Sequence, residues 1–108
     1  MQDKIRVNTL LDFYSALLTK KQNTVCDYYY RDDMSLQEIS ELEGISRAGV
    51  HDLLKRTEAS LERYEEKLHM VESFQKRYAY YQEMVSVGNQ KINKLVQLCL
   101  DTEGGKYE

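Results

Sequence analysis

The 108-residue sequence contains no proline and only five glycines. An all-β fold of this size needs more of both for its turns, so the scarcity favours helices. Cysteine is scarce too. Cys26 and Cys99 form no C-x-x-C pair, and each sits among apolar neighbours, which excludes a disulfide framework and points to a reducing, cytoplasmic setting. No run approaches the ~20 apolar residues of a membrane span, and the N-terminus leads into no apolar signal segment. An excess of basic charge is also lacking. The net charge is −3, so any nucleic-acid site must be a local patch working against the global field. What is present is 42% hydrophobic and 31% charged residues, enough for one domain with a modest core.

Apolar side chains at Ile5, Val7, Leu10, Leu11, Phe13, Tyr14, Leu17 and Leu18 recur at helical spacing and predict a helix over 5–18. Thr19 with Gln22, and Ser35 with Glu38, have the spacing of capping boxes, so helices should begin at both places. The first of these should run to about Tyr30 with Val25, Cys26, Tyr28 and Tyr29 inward, and a loop should follow over 31–34. The second should carry Leu36, Ile39 and Leu42 inward. Gly44 suits the left-handed position that closes a helix, Ile45 the buried turn and Ser46 the next N-cap.

The stretch 35–50 therefore reads as helix, three-residue turn, helix. A helix-turn-helix needs a small residue in its first helix, a glycine-like turn and buried apolar residues on either side, and Ser40, Gly44, Ile45, Val50 and Leu53 meet those needs. Arg47, His51 and Lys55 then share the outward face of the second helix at i, i+4 and i+8, where donors can meet phosphates or base edges. With Ser46, Gly49 and Arg56 they form the candidate nucleic-acid-binding set. The charge count works against it: residues 1–57 hold eight Lys/Arg and nine Asp/Glu, with Asp52 inside the second helix.

Beyond Arg47 the apolar residues Leu61, Tyr64, Leu68, Val71, Phe74, Tyr78, Tyr81 and Val85 recur in steps of 3, 4, 3, 3, 4, 3 and 4. The stripe loses one residue from strict heptads between Val71 and Phe74. As one rod, 47–86 would be ~60 Å long at ~1.5 Å per residue. The rest of the chain cannot cover that length. Either the helix breaks or a second copy packs on the stripe as a homodimer interface. Gly88-Asn89 ends the segment. Ile92, Leu95, Val96 and Cys99 mark a last short helix. The organisation expected is all-α: a head over 1–57, a helical extension of the same domain over 58–102, and a flexible tail over 103–108.

Other chemistry is sparse. Lys76 to Tyr81 mixes basic and aromatic residues as single-strand binders do, but Tyr78 and Tyr81 lie on the apolar stripe, which leaves Tyr80 as the stacking candidate. His51 and His69 are not at metal-ligand spacing. The many carboxylates read as solvated faces. No phosphate loop, dinucleotide-binding glycines, nucleophile elbow or zinc-protease motif is present. The expectation is a protein that is not an enzyme and takes no cofactor and no metal.

Several segments together resemble the bacterial YlxM family of small helix-turn-helix proteins, which are similar to region 4 of sigma factors. They are Asn8 to Tyr14, Leu17 to Gln22, Asp27 to Ile39, Ile45 to Asp52 and Tyr64 to Leu68. The first and last of them lie outside any generic helix-turn-helix, so the match over 8–68 is specific. One departure is Glu43, which stands where the family usually has an apolar residue, with Leu42 before it. The resemblance implies an association with the signal recognition particle, its GTPase subunit or its RNA, and a part in co-translational targeting. A DNA-binding transcriptional regulator and a protein-interaction module built on the same scaffold are the alternatives.

Overall fold

The computed structural model describes residues 3–103, so the expected tail falls outside the described residues from 104 onward. Six α-helices and no strand occur among the described residues: α1 Lys4–Tyr14, α2 Lys20–Cys26, α3 Leu36–Glu43, α4 Arg47–Leu68, α5 Met70–Ser86 and α6 Gln90–Thr102. They fall into two compact units, one ending at Leu68 and one beginning at His69. The boundary expected at 57 lies inside α4, which runs on for three more turns.

Both capping boxes form. Thr19 and Gln22 bond reciprocally at the start of α2, and Ser35 and Glu38 do so at the start of α3. Each pair satisfies two backbone donors that a helix start leaves free. The first helix is shorter than its apolar period, because its last turn tightens into a 3-10 turn over Ser15–Leu17. After α2 the backbone widens into a π turn over Asp27–Arg31. That turn changes which tyrosine faces inward. Tyr30, five residues past Val25, is 3% exposed, while Tyr28 and Tyr29 are half-buried.

The first unit is organised round α4. Val50, Leu54, Thr57, Glu58, Leu61 and Glu65 form its buried face. They meet a core built from Val7, Leu10, Leu11, Tyr14, Val25, Cys26, Tyr30 and Ile39. Two carboxylates lie within this apolar face, one heptad apart. Glu58 accepts a hydrogen bond from the Tyr30 hydroxyl at 2.6 Å, and Glu65 accepts one from the Tyr14 hydroxyl. These two acids are therefore not solvated, contrary to the sequence expectation. Burial, followed by the bond to Glu58, holds the Tyr30 phenol far above its ordinary range, so it stays a donor. At the rim Arg6 grips Glu62 with two 3.0 Å bonds.

The second unit is a hairpin of α5 and α6. Gly88 turns the chain at φ +76, and Asn89 caps α6 by accepting from the Lys91 and Ile92 amides. Near the other end Glu103 takes two bonds from the Arg77 guanidinium, at 2.8 and 2.9 Å, and one from the Tyr81 hydroxyl at 2.7 Å. Phe74 stacks obliquely on Tyr78, with ring centroids 5.7 Å apart.

No continuous helix spans 47–86. It breaks at His69, which is left-handed at φ +53 without being glycine. The break falls two residues before Val71 and not between Val71 and Phe74. Leu61, Val71 and Phe74 are each at most 5% exposed in the single chain. The uninterrupted exposed seam drawn from Leu61 to Val85 therefore does not exist, because these three side chains are already covered. Tyr64 and Tyr81 are half-buried, and Leu68, Tyr78 and Val85 are exposed.

Candidate nucleic-acid interface

α3 and α4 are joined by the three residues Gly44, Ile45 and Ser46. Gly44 takes φ +67 and ψ 30, and its amide bonds back to the Ser40 carbonyl, as does that of Ile45 at 3.2 Å. This is the left-handed helix stop that only a residue without Cβ adopts freely. Ser46 then starts α4, its hydroxyl accepting from the Gly49 amide at 2.9 Å. On α3 the inward positions are Leu36, Ile39, Ser40 and Glu43, at helical steps of 3, 1 and 3. Leu42 falls one step outside that face and is 59% exposed, which corrects its place in the core. Glu43, partly buried, holds the position before the turn, so the turn keeps its register.

Arg47, His51 and Lys55 are all exposed along α4, as the spacing predicts. Arg47, Ala48 and His51 line a shallow concavity of about 370 Å³ together with Leu36 from the start of α3. Ser46 is exposed but its oxygen is committed to the cap. Gly49 is half-buried, and a Cβ there would lie 3.1 Å from the Ser46 hydroxyl, a tight contact that the cap would have to yield to by a few tenths of an ångström. Arg56 is exposed but bonded to Asp52 at 2.7 Å, which ties up both charges.

That pairing pattern changes the meaning of the unfavourable charge count. Among the described residues of the head, Lys4 pairs with Asp33, Arg6 with Glu62, Arg31 with Asp12 and Asp27, and Arg56 with Asp52. Lys20, Lys21, Arg47 and Lys55 have no carboxylate within ion-pair distance among the described residues. Two of these four cations stand on the outward face of α4. Lys21 lines a second concavity of about 270 Å³ with Thr19, Gln22, Leu53 and Arg56, which brings the start of α2 beside α4. Sequence reasoning did not single out Lys21, because nothing in its local spacing shows that α2 begins next to the second helix of the motif.

The geometry is that of a helix-turn-helix protein: a short helix, a glycine-closed turn and a long helix with an open cationic face. The chain belongs to the YlxM/p13-like family UPF0122, whose description names a helix-turn-helix and whose model matches residues 1–99. A UPF0122 protein of Oceanobacillus iheyensis is 55% identical over 78 residues, covering 71% of this chain and 74% of its own. UPF0122 proteins of Shouchella clausii and Halalkalibacterium halodurans are 48% and 51% identical over 85 residues, each covering 78% of both chains. The family's helix-turn-helix points to nucleic-acid binding. No described helix is long and apolar enough to cross a membrane.

Proposed function

We propose that this protein is an accessory of the signal recognition particle pathway and that it contacts nucleic acid through the face of Arg47, His51 and Lys55. The supporting observation is that Arg47 and Lys55, exposed on the second helix of the motif, are free of carboxylate partners among the described residues. Cations that the fold does not neutralise are the ones able to displace counterions from phosphates. The resemblance over residues 8–68 carries the targeting half of the reading. A homodimer would present two such faces and offset the modest charge of each by avidity.

The test is the salt dependence of binding to the particle's RNA and to duplex DNA. Replacing Arg47 and Lys55 together by alanine should weaken binding and flatten the log–log salt slope by about two units, one per phosphate contact. Preference for the RNA supports the targeting role, and preference for duplex DNA favours a transcriptional regulator. Salt-independent capture of a nuclease-resistant partner would instead make the motif a scaffold for protein contacts.

A further inference from the structure

The α5–α6 hairpin is short of core. Among its described apolar residues only Val71, Phe74 and Val96 are buried, while Tyr80, Met84, Leu95 and Leu98 are 62, 40, 53 and 52% exposed. These four are not scattered. Counted round each helix at 3.6 residues per turn from its buried residue, Phe74 on α5 and Val96 on α6, they lie roughly 80–160° away in the same rotational sense. The two helices run antiparallel, so the same sense on both places all four on one side of the hairpin. Glu103, bonded to Arg77 and Tyr81, ties the end of α6 back to α5. The result is a side of the hairpin with four exposed apolar side chains, of the kind that marks an interface.

We propose that this face docks on the same face of a second copy of the chain, with the two α6 helices antiparallel. The polarity of charge along α6 favours a copy of itself. Lys91 and Lys94 precede the leucines, Asp101 follows them, and all three are exposed. A two-fold axis between Leu95 and Leu98 brings Leu95 of each chain opposite Leu98 of the other. Asp101 of the second copy then falls opposite Ile92, between Lys91 and Lys94, and symmetry repeats the contact. Asp101 accepts from Gln97 at 2.9 Å through one oxygen. The surface is not the Leu61 to Val85 stripe, three of whose members the single chain already covers.

Sedimentation equilibrium of the full chain at micromolar concentration should give about twice 12.8 kDa. The double variant Leu95→Glu with Leu98→Glu should sediment as a monomer with unchanged helical circular dichroism, both side chains being exposed. Asp101→Lys alone should raise the dissociation constant at least about tenfold, by setting like charges together. Adding Lys91→Asp and Lys94→Asp to it should restore the dimer, a rescue that only a self-complementary face allows. A wild-type monomer overturns the proposal. So does a monomer that sediments with anionic vesicles, which would make the face a lipid contact, or a dimer that the leucine variant leaves intact. Failure of the charge swap to rescue overturns the antiparallel pairing. None of these outcomes depends on whether the head binds nucleic acid.

Discussion

The two units of this chain solve the problem of covering apolar surface in opposite ways. Up to Leu68, twelve apolar side chains among the described residues are buried, Val7 to Leu61; from His69 on, three are. Of the large apolar side chains left exposed, four lie in the first unit, Ile5, Leu17, Leu42 and Leu68, and eight in the second. The first unit surrounds one helix with several short ones, so α4 is covered along Val50, Leu54, Leu61 and the two bonded carboxylates. A two-helix hairpin has a single internal seam and cannot do this. The head thus carries its own core, and the hairpin offers surface.

The sharpest way to break that contrast is to empty the head. Leu54 is fully buried, so Leu54→Ala should cost about 2–5 kcal/mol in urea denaturation, whereas Leu95→Ala, at an exposed position, should stay within about 0.5 kcal/mol when measured on monomeric chain. Equal costs would mean that the hairpin is packed as tightly as the head.

Next in size is the turn. Gly44→Val forces a β-branched residue into φ +67, with about 1–3 kcal/mol of strain expected. No atom lies within 4 Å of the added Cβ, so the loss would be conformational and not steric. Gly49→Ala sharpens this by going the other way. Alanine gains about 1 kcal/mol of helix propensity but must share space with the Ser46 hydroxyl. A net change well below that of Gly44→Val is expected from thermal melts.

A smaller effect separates the units by pH. The Arg77 guanidinium, and after it the Tyr81 hydroxyl, hold the Glu103 carboxyl below its ordinary range. A depressed folded-state value means that the bond stabilises the hairpin fully above the unfolded carboxylate pKa of about 4.3 and is lost as pH falls through the folded value. Hydrogen exchange along α6 should therefore quicken in that acid window, and Glu103→Gln should remove the dependence. Amides of α4 near Leu54 should not follow it.

The last contrast costs no stability. Cys26 is buried, and that burial, more than the nearby carboxylates, pushes its thiol up to about 12. Cys99, on the hairpin, is exposed. Alkylation of the native chain should label Cys99 and leave Cys26 until the head unfolds, as peptide mass mapping would show.

Much of this was legible from neighbouring residues. Thr19 with Gln22, Ser35 with Glu38, Gly44 and the outward set Arg47, His51 and Lys55 lie where their spacing puts them, because caps, turns and helix faces are settled within a few residues of backbone. Glu58 and Glu65 were open to the same reasoning. They fall on the α4 stripe between and after Leu54 and Leu61, and inward tyrosines need acceptors. The break at His69 had no such signal, since neither glycine nor proline stands there.

By itself the sequence determined an all-α chain, the positions of the helix starts and the helix-turn-helix, since each follows from local hydrogen bonding and the 3.6-residue period. Only the tertiary structure decided which charges stay free and which apolar faces stay open. Lys4 meets Asp33 and Arg6 meets Glu62 across tens of residues, leaving Arg47 and Lys55 uncompensated. Val71 and Phe74 are covered while Leu95 and Leu98 are not. Pairing and burial of that kind depend on which elements are neighbours in space, and no window of local sequence contains that distance.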